Sequence, residues 1–235
     1  MDSRQPVPAG FPGCPRCPLR ATGSPEICAS CVLKSVPFPK SRCGICSRPH
    51  DPGEKCGNPI CNWDDRSFGR VFAICPKTRP IERAIWQFKY DNVQGWGVIM
   101  GRLVLGWLNR NLDPDDYDVI VANPTHSSRQ VRHTERILEV ADSEDTEGEW
   151  PIEPRALVKK TETTSSARGS WRQKWDAAQE LEGAVRRRAG VDFSGQRVLI
   201  FDDVTTTCAQ MHVLGLMLRS WGASNVDGLV VARAV

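Results

Sequence analysis

The sequence has no long hydrophobic run. Its longest apolar stretch, Gly95 to Leu108, falls short of the roughly 20 residues that a membrane-spanning helix requires, and it carries Arg102. It reads as a buried helix. The amino-terminal stretch lacks the succession of charged, apolar and small residues that marks a secretory signal, so a cytoplasmic location is expected. A large excess of one charge is missing too. The formal net charge of +3 singles out no partner, and bound metal would offset it, because a zinc ion held by four thiolates carries about −2. Beyond residue 61 cysteine is scarce, represented by Cys75 and Cys208 alone.

What is present is a dense amino-terminal cluster of that residue. Eight of the 10 cysteines lie in the first 61 residues, and clustering in C-x-x-C pairs favours metal over disulfides. Cys14 and Cys17 followed by Cys28 and Cys31 have the spacing of a zinc ribbon, in which two tight knuckles aim four thiolates at one tetrahedral ion. Cys43, Cys46, Cys56 and Cys61 form a second, less regular group. Pairwise and cross-braced ligation would use the same residues, and disulfide pairing is the alternative. Four protein thiolates leave no open position on the ion, so both sites are expected to be structural. The segment is rich in Pro and Gly and needs the metal to hold a fold. Residues 1–64 are therefore expected to be a zinc module, and residues 65–235 a separate domain. A chain of 235 residues is long enough for one sizeable α/β core beside such a module.

After Trp63 the pattern becomes periodic. "RVFAI" (70–74) predicts a strand. Ile81, Ala84, Ile85 and Phe88 recur at helical spacing behind Pro80, which suits a first helical turn. A second helix is expected over 97–109, and strands at "DVIVA" (118–122), "RALV" (155–158), "RVLIF" (197–201) and "VDGLVVA" (226–232). Residues 211–221 read as a helix ended by Gly222. Strands alternating with helices imply a mainly parallel sheet with helices on both faces. The acidic segment 141–149 and the run "RRR" (186–188) read as solvated surface.

In such sheets ligands bind at the carboxyl ends of strands. Asp202 and Asp203 follow "RVLIF" directly, and Thr205, Thr206 and Thr207 then lead into a helix. Free amides at a helix start, with the helix dipole behind them, favour a phosphate. Nearby carboxylates can accept hydrogen bonds from vicinal sugar hydroxyls or contact a divalent metal through water. A pentose 5-phosphate satisfies both halves.

The stretch Asp202, Asp203, Val204, Thr205, Thr206, Thr207, Cys208 resembles the phosphoribosyl pyrophosphate (PRPP) motif of the type I phosphoribosyltransferases, Asp-Asp-Val-x-Thr-Thr-Gly. The order of parts along nearly the whole chain resembles the ComF family of amidophosphoribosyltransferase-like proteins: a cysteine-rich zinc module, "QFKY" (87–90), a strand and loop similar to Pro-Val-Pro-x-His, then the motif. Three departures stand out. Cys208 replaces the glycine, putting a side chain where close backbone approach or positive φ favours none; and "ANPTH" keeps Pro124 and His126 but has Ala122 and Asn123 before them. The Arg-Gly-Phe-Asn-Gln segment of the family is absent, with "RHTERI" (132–137) in its place.

The resemblance implies a type I phosphoribosyltransferase fold binding PRPP and Mg²⁺, with transfer of phosphoribosyl to a nitrogen acceptor and release of pyrophosphate. Val204 to Ala209 would cradle the 5-phosphate beside Asp202 and Asp203. Asn123, Pro124, Thr125, His126 and the residues to Ser128 would face the pyrophosphate, with Arg129 as a cationic aid and Lys89 with Tyr90 lining the other side. Residues 161–175, including Arg168, Arg172 and Lys174, would form a hood that excludes water. For some relatives the resemblance implies a different class of role, in DNA uptake, with zinc ribbons and aromatics binding single-stranded DNA. In residues 1–64 the aromatics are Phe11, Phe38 and Trp63. Cys208 reads as a small buried filler rather than a nucleophile.

Overall fold

A computed structural model describes residues 41–164 and 169–234. Cys14, Cys17, Cys28 and Cys31, like Arg168, lie outside the described residues. Seven strands and five α-helices follow in order: β1 Val71–Pro76, α1 Arg79–Tyr90, α2 Gly95–Asn111, β2 Val119–Ala122, α3 His133–Glu144, β3 Ile152–Glu153, β4 Leu157–Lys159, α4 Trp171–Ala184, β5 Val185–Arg187, β6 Arg197–Thr205, α5 Ala209–Ser220 and β7 Asn225–Arg233. Five strands form one sheet in the order β1-β7-β6-β2-β3, and every pairing in it is parallel.

The two-residue alternation of a strand sorts β6 and β7 between two cores. Leu199, Phe201, Leu229 and Val231 pack on the side of α1, α2 and α3. Val198, Ile200, Val226 and Val230 pack on the other side with α4, α5 and the second cysteine group. Helices thus cover both faces, as the parallel pattern requires. Helix α1 buries Ile81, Ala84, Ile85 and Phe88, the stripe that its spacing marks out. Helices α2 and α3 cross closely at Gly101, where a Cβ would fall 2.6 Å from Val140.

Several elements differ from their sequence patterns. β6 runs on through both aspartates to Thr205, because its neighbour β7 offers partners that far, pairing Asp202 with Val230 and Thr205 with Arg233. "RALV" does not join the main sheet. Its last two residues open β4, which pairs antiparallel with β5, whereas the short β3 just before it extends the sheet beyond β2. "RRR" falls partly within β5, although its side chains are exposed. "RHTERI" contributes to α3, which continues through the start of the acidic segment to Glu144, where a carboxylate oxygen accepts from buried Arg102 at 2.7 Å. Within the hood segment, α4 begins at Trp171 behind a capping box between Ser170 and Gln173.

The second cysteine group is fastened to the sheet. The Val71 amide donates to Ile45 O at 2.6 Å, and Ser47 Oγ donates to Val71 O at 2.7 Å. Among the described helices none is long and apolar enough to cross a membrane.

Candidate functional site

The carboxyl ends of β6 and β2 meet at a cleft whose chemistry is set by two adjacent carboxylates. Because successive strand side chains alternate, Asp203 continues the face of Leu199 and Phe201, and Asp202 that of Val198 and Ile200. Asp203 therefore meets the helices of the first core. Lys89 Nζ, in the last turn of α1, lies 2.5 Å from Asp203 Oδ2, and His133 Nε2, at the start of α3, lies 3.8 Å from the same oxygen. Asp202 meets the other side: Asn123 Nδ2 donates to its Oδ2 at 3.0 Å and also to Gln210 Oε1 at 2.8 Å. The Asp203 amide donates to Asp202 Oδ1 at 2.8 Å.

Both carboxylates are buried, yet their proton affinities are driven apart. Burial and the charge of Asp203 push Asp202 up to about 7. Asp203 suffers the same burial, but the ammonium of Lys89 and the nearby His133 outweigh it and hold Asp203 down at about 2. Burial pulls Lys89 down, and the charges of Asp203 and Asp202 more than restore it, so it is raised. His133 is lowered to about 4, by burial first and by the Lys89 charge second, which leaves it neutral at pH 7. The site thus holds an ammonium–carboxylate pair beside a carboxyl that changes charge near neutrality.

Beyond β6 the chain turns sharply into α5. Cys208 takes φ 62°, ψ 14°, the left-handed conformation that glycine adopts without a Cβ penalty. Cysteine takes this conformation here with the turn intact. Its side chain, 1 % exposed, points into the second core rather than into the loop, where Thr205 Oγ1 lies 3.6 Å from Cys208 Sγ. Thr205 Oγ1 also accepts from the Cys208 amide at 3.2 Å, and Thr207 Oγ1 accepts from the Ala209 amide at 3.3 Å. Thr206 and Thr207 remain partly exposed at the loop rim. Their hydroxyls stand at the start of α5, where the helix dipole favours an anion.

The loop after β2 is set by α3. Glu135 Oε1 accepts from the Thr125 amide at 2.8 Å, and Thr134 Oγ1 donates to Asn123 O at 2.7 Å. Asn123 thereby faces Asp202, while Pro124 and Thr125 are buried and Arg129 is exposed. His126 turns outward to Ser128 Oγ, at 2.9 Å, and to Glu162, at 3.6 Å. The sequence signal thus brings Asn123, Lys89, Asp202, Asp203 and the threonine loop together; it does not bring His126 to the carboxylates. It missed His133, Gln210 and Lys159. Burial and the charge of Arg129 lower Lys159, while the charge of Asp202 acts to raise it; its Nζ donates to Thr163 Oγ1 at 2.6 Å. Each comes from an element whose position only the tertiary fold reveals.

On the second core, Cys43, Cys46, Cys56 and Cys61 present sulfur atoms that all lie within 4.8 Å of one another. Cys43 and Cys61 are 3.8 Å apart, and Cys46 and Cys56 are 3.6 Å apart. Four ligands at the Zn–S distance of about 2.3 Å around a tetrahedral ion stand about 3.8 Å from each other, so this group could hold one zinc ion.

No family model matches the sequence, and no curated protein matches it. Among solved structures the chain is similar to an allosteric regulatory enzyme of purine biosynthesis, at 18% identity over 59% of this chain and 26% of that one, TM-score 0.35. It is also similar to a hypoxanthine phosphoribosyltransferase from Staphylococcus aureus, at 10% identity over 60% of this chain and 74% of that one, TM-score 0.35. A purine phosphoribosyltransferase from Pyrococcus horikoshii is similar at 12% identity over 66% of this chain and 86% of that one, TM-score 0.29. The chain spans about a quarter of the first of these proteins. Likenesses this distant assign no activity.

Proposed function

We propose that the cleft binds PRPP with Mg²⁺ and transfers its phosphoribosyl group to a nitrogen acceptor, releasing pyrophosphate. The observation that carries this reading is the left-handed turn at Cys208, which curls the threonine loop into an anion cradle directly beside two buried carboxylates. The amides and hydroxyls of Thr206 and Thr207 hold the 5-phosphate at the start of α5. Asp202 accepts from the ribose hydroxyls through lone pairs that Asn123 and the Asp203 amide leave open. Asp203 is neutralised by Lys89, and so fixes the end of α1 against the sugar site. Arg129 and Lys159 face the pyrophosphate from the β2 and β4 sides.

In the reaction, carbon 1 of the ribose loses its bond to a pyrophosphate oxygen and gains one to nitrogen, whose proton leaves to solvent or to the departing group. Preorganised donors around the developing charge lower the barrier. Mg²⁺ would neutralise the leaving pyrophosphate, and it fits a site that offers one free carboxylate, Asp202, plus substrate phosphates. In this reading residues 1–64 are the zinc module, with Cys14, Cys17, Cys28 and Cys31 holding one zinc ion and the second group another, and residues 65–235 are the transfer domain of a cytoplasmic protein.

A second reading, binding of single-stranded DNA, rests on one aromatic cluster. Trp171 and Trp175 stack with parallel rings 5.8 Å apart, Trp63 meets both edge-on, and Lys174 lies between the two stacked tryptophans in the sequence of α4. Bases stack on such platforms beside cations.

The test is calorimetric titration with PRPP and Mg²⁺, followed by pyrophosphate release across a panel of nitrogen bases and amines. Replacing both aspartates with asparagine should weaken PRPP on the order of tenfold or more; undiminished binding refutes the assignment. Salt-dependent binding of an oligonucleotide without PRPP binding would favour the second reading.

A further inference from the structure

Arg233, the last residue of β7, is wholly buried. A buried guanidinium is costly unless it is hydrogen-bonded and offset by negative charge. Among the described residues its hydrogen-bond acceptors are not carboxylates. Nε donates to Cys46 O at 2.8 Å, and Nη1 donates to Thr205 O at 3.1 Å, to Thr206 O and to Ala234 O. Nη2 reaches Cys46 Sγ at 3.6 Å. One side chain therefore grips a member of the four-cysteine group and the backbone of the threonine loop.

The two ends of this bridge have matching chemistry. A metal ion held by four thiolates carries about −2, and this supplies an anion to offset the guanidinium. On the loop side, a trans peptide points its N–H opposite to its C=O. With the carbonyls of Thr205 and Thr206 drawn toward Arg233, the amides of Thr206 and Thr207 are turned away from it, toward the open side of the loop. The Thr205 carbonyl, at the end of β6, also accepts from the Ala234 amide at 2.9 Å as the ladder with β7 runs out, whereas Thr206 lies past the end of β6 and before α5, and its carbonyl is held by Arg233.

We propose that Arg233 is a positioning residue that couples the four-cysteine metal centre to the anion cradle, so that metal at Cys43, Cys46, Cys56 and Cys61 and a sugar phosphate at the threonine loop strengthen each other's binding. The proposal deepens the PRPP reading and rests on it. Coupling between two sites is reciprocal. Metal removal should weaken the sugar phosphate by the same factor as the sugar phosphate tightens the metal, on the order of tenfold.

The experiment uses the full chain loaded with cobalt(II), whose thiolate absorption reports the metal centre. Ribose 5-phosphate, which can occupy the cradle alone, is titrated while the visible spectrum is followed. Its affinity is then measured by calorimetry with and without metal, and metal affinity by chelator competition. Wild-type protein should show a spectral change that saturates with the sugar phosphate and equal coupling factors in both directions. Arg233→Lys keeps the charge but loses the fork; it should retain cobalt and its far-ultraviolet dichroism, bind ribose 5-phosphate more weakly, and leave the spectrum still. If that variant does not fold, the wild-type arms decide. Ribose 5-phosphate that binds without moving the cobalt spectrum, with equal affinity in folded metal-free protein, overturns the coupling and leaves the PRPP reading standing. Absence of binding by both ribose 5-phosphate and PRPP overturns both.

Discussion

Replacing Asp202 with asparagine should stabilise the protein and impair its cleft at once. The perturbation is nearly isosteric. Asp202 accepts from the Asp203 amide and from Asn123, which also donates to Gln210 Oε1. If the amides of Asn123 and Gln210 both turn over, the introduced amide donates to Asn123, Gln210 donates to Asn123, and no hydrogen bond is lost. What disappears is a buried charge. Asp202 binds its proton at about 7 when folded, against 3.8 for an ordinary aspartate exposed to water. At Asp202 the folded state therefore holds more protons than the unfolded one between about pH 4 and pH 7, and this residue's contribution to stability falls as pH rises through that window. At about 1.4 kcal/mol per pH unit, the loss is on the order of 4 kcal/mol by pH 8. The variant escapes it. Urea unfolding from pH 4 to pH 8 should show wild type and variant nearly equal at the acid end and diverging toward neutrality, with the variant more stable, while its PRPP affinity falls on the order of tenfold. A stability difference that is flat with pH, or a variant less stable at pH 8, would refute the reasoning.

Two further changes probe the same cleft. Lys89→Met strands Asp203 in the core without its ammonium; unfolding free energy at pH 7 should drop by about 3–5 kcal/mol, and a drop below about 1 kcal/mol in urea titration would show that water reaches this pair. Cys208→Gly removes a left-handed cost of about 1–2 kcal/mol but adds chain entropy of about 0.5–1 kcal/mol and gives up buried thiol contacts. Thermal unfolding should move by the equivalent of less than about 1 kcal/mol, with PRPP affinity unchanged within about twofold because the side chain faces the core; a severalfold tightening measured by calorimetry would show that the thiol does obstruct the cradle.

The sequence was most informative where local chemistry and tertiary context agree. The stripe of Ile81, Ala84, Ile85 and Phe88 forms α1 as its period requires, and the parallel sheet follows from alternation of strands and helices. The adjacent aspartates before a threonine run marked the cleft, since few local needs place two carboxylates at the end of an apolar strand. Other parts depend on distant neighbours. "RALV" left the main sheet because β5, about 30 residues later, offered it a partner, and two-residue β3 is too short to show a period. Lys89 was readable as a cation near the site, but its capture by Asp203 depends on where α1 lands. Arg233 showed no signal at all: at the end of an apolar strand it looks like a residue turning to solvent, and only the fold places Cys46 and the threonine loop around it.

The position of β7 in the sheet has a consequence for how the chain acquires its shape. Among the described residues β1 is the first strand, yet its neighbour in the sheet is β7, with Val71 opposite Gly228. During synthesis β1 and the cysteine group fastened to it must wait until β7 is made, and loop closure over such a distance is slow. Until then β1 is an unpaired apolar edge, the kind of surface that joins other chains. A chain stopped anywhere before Asn225 would lack both the partner of β1 and the guanidinium that grips the threonine loop, so its β6 would end in carboxylates with no ordered cradle beside them.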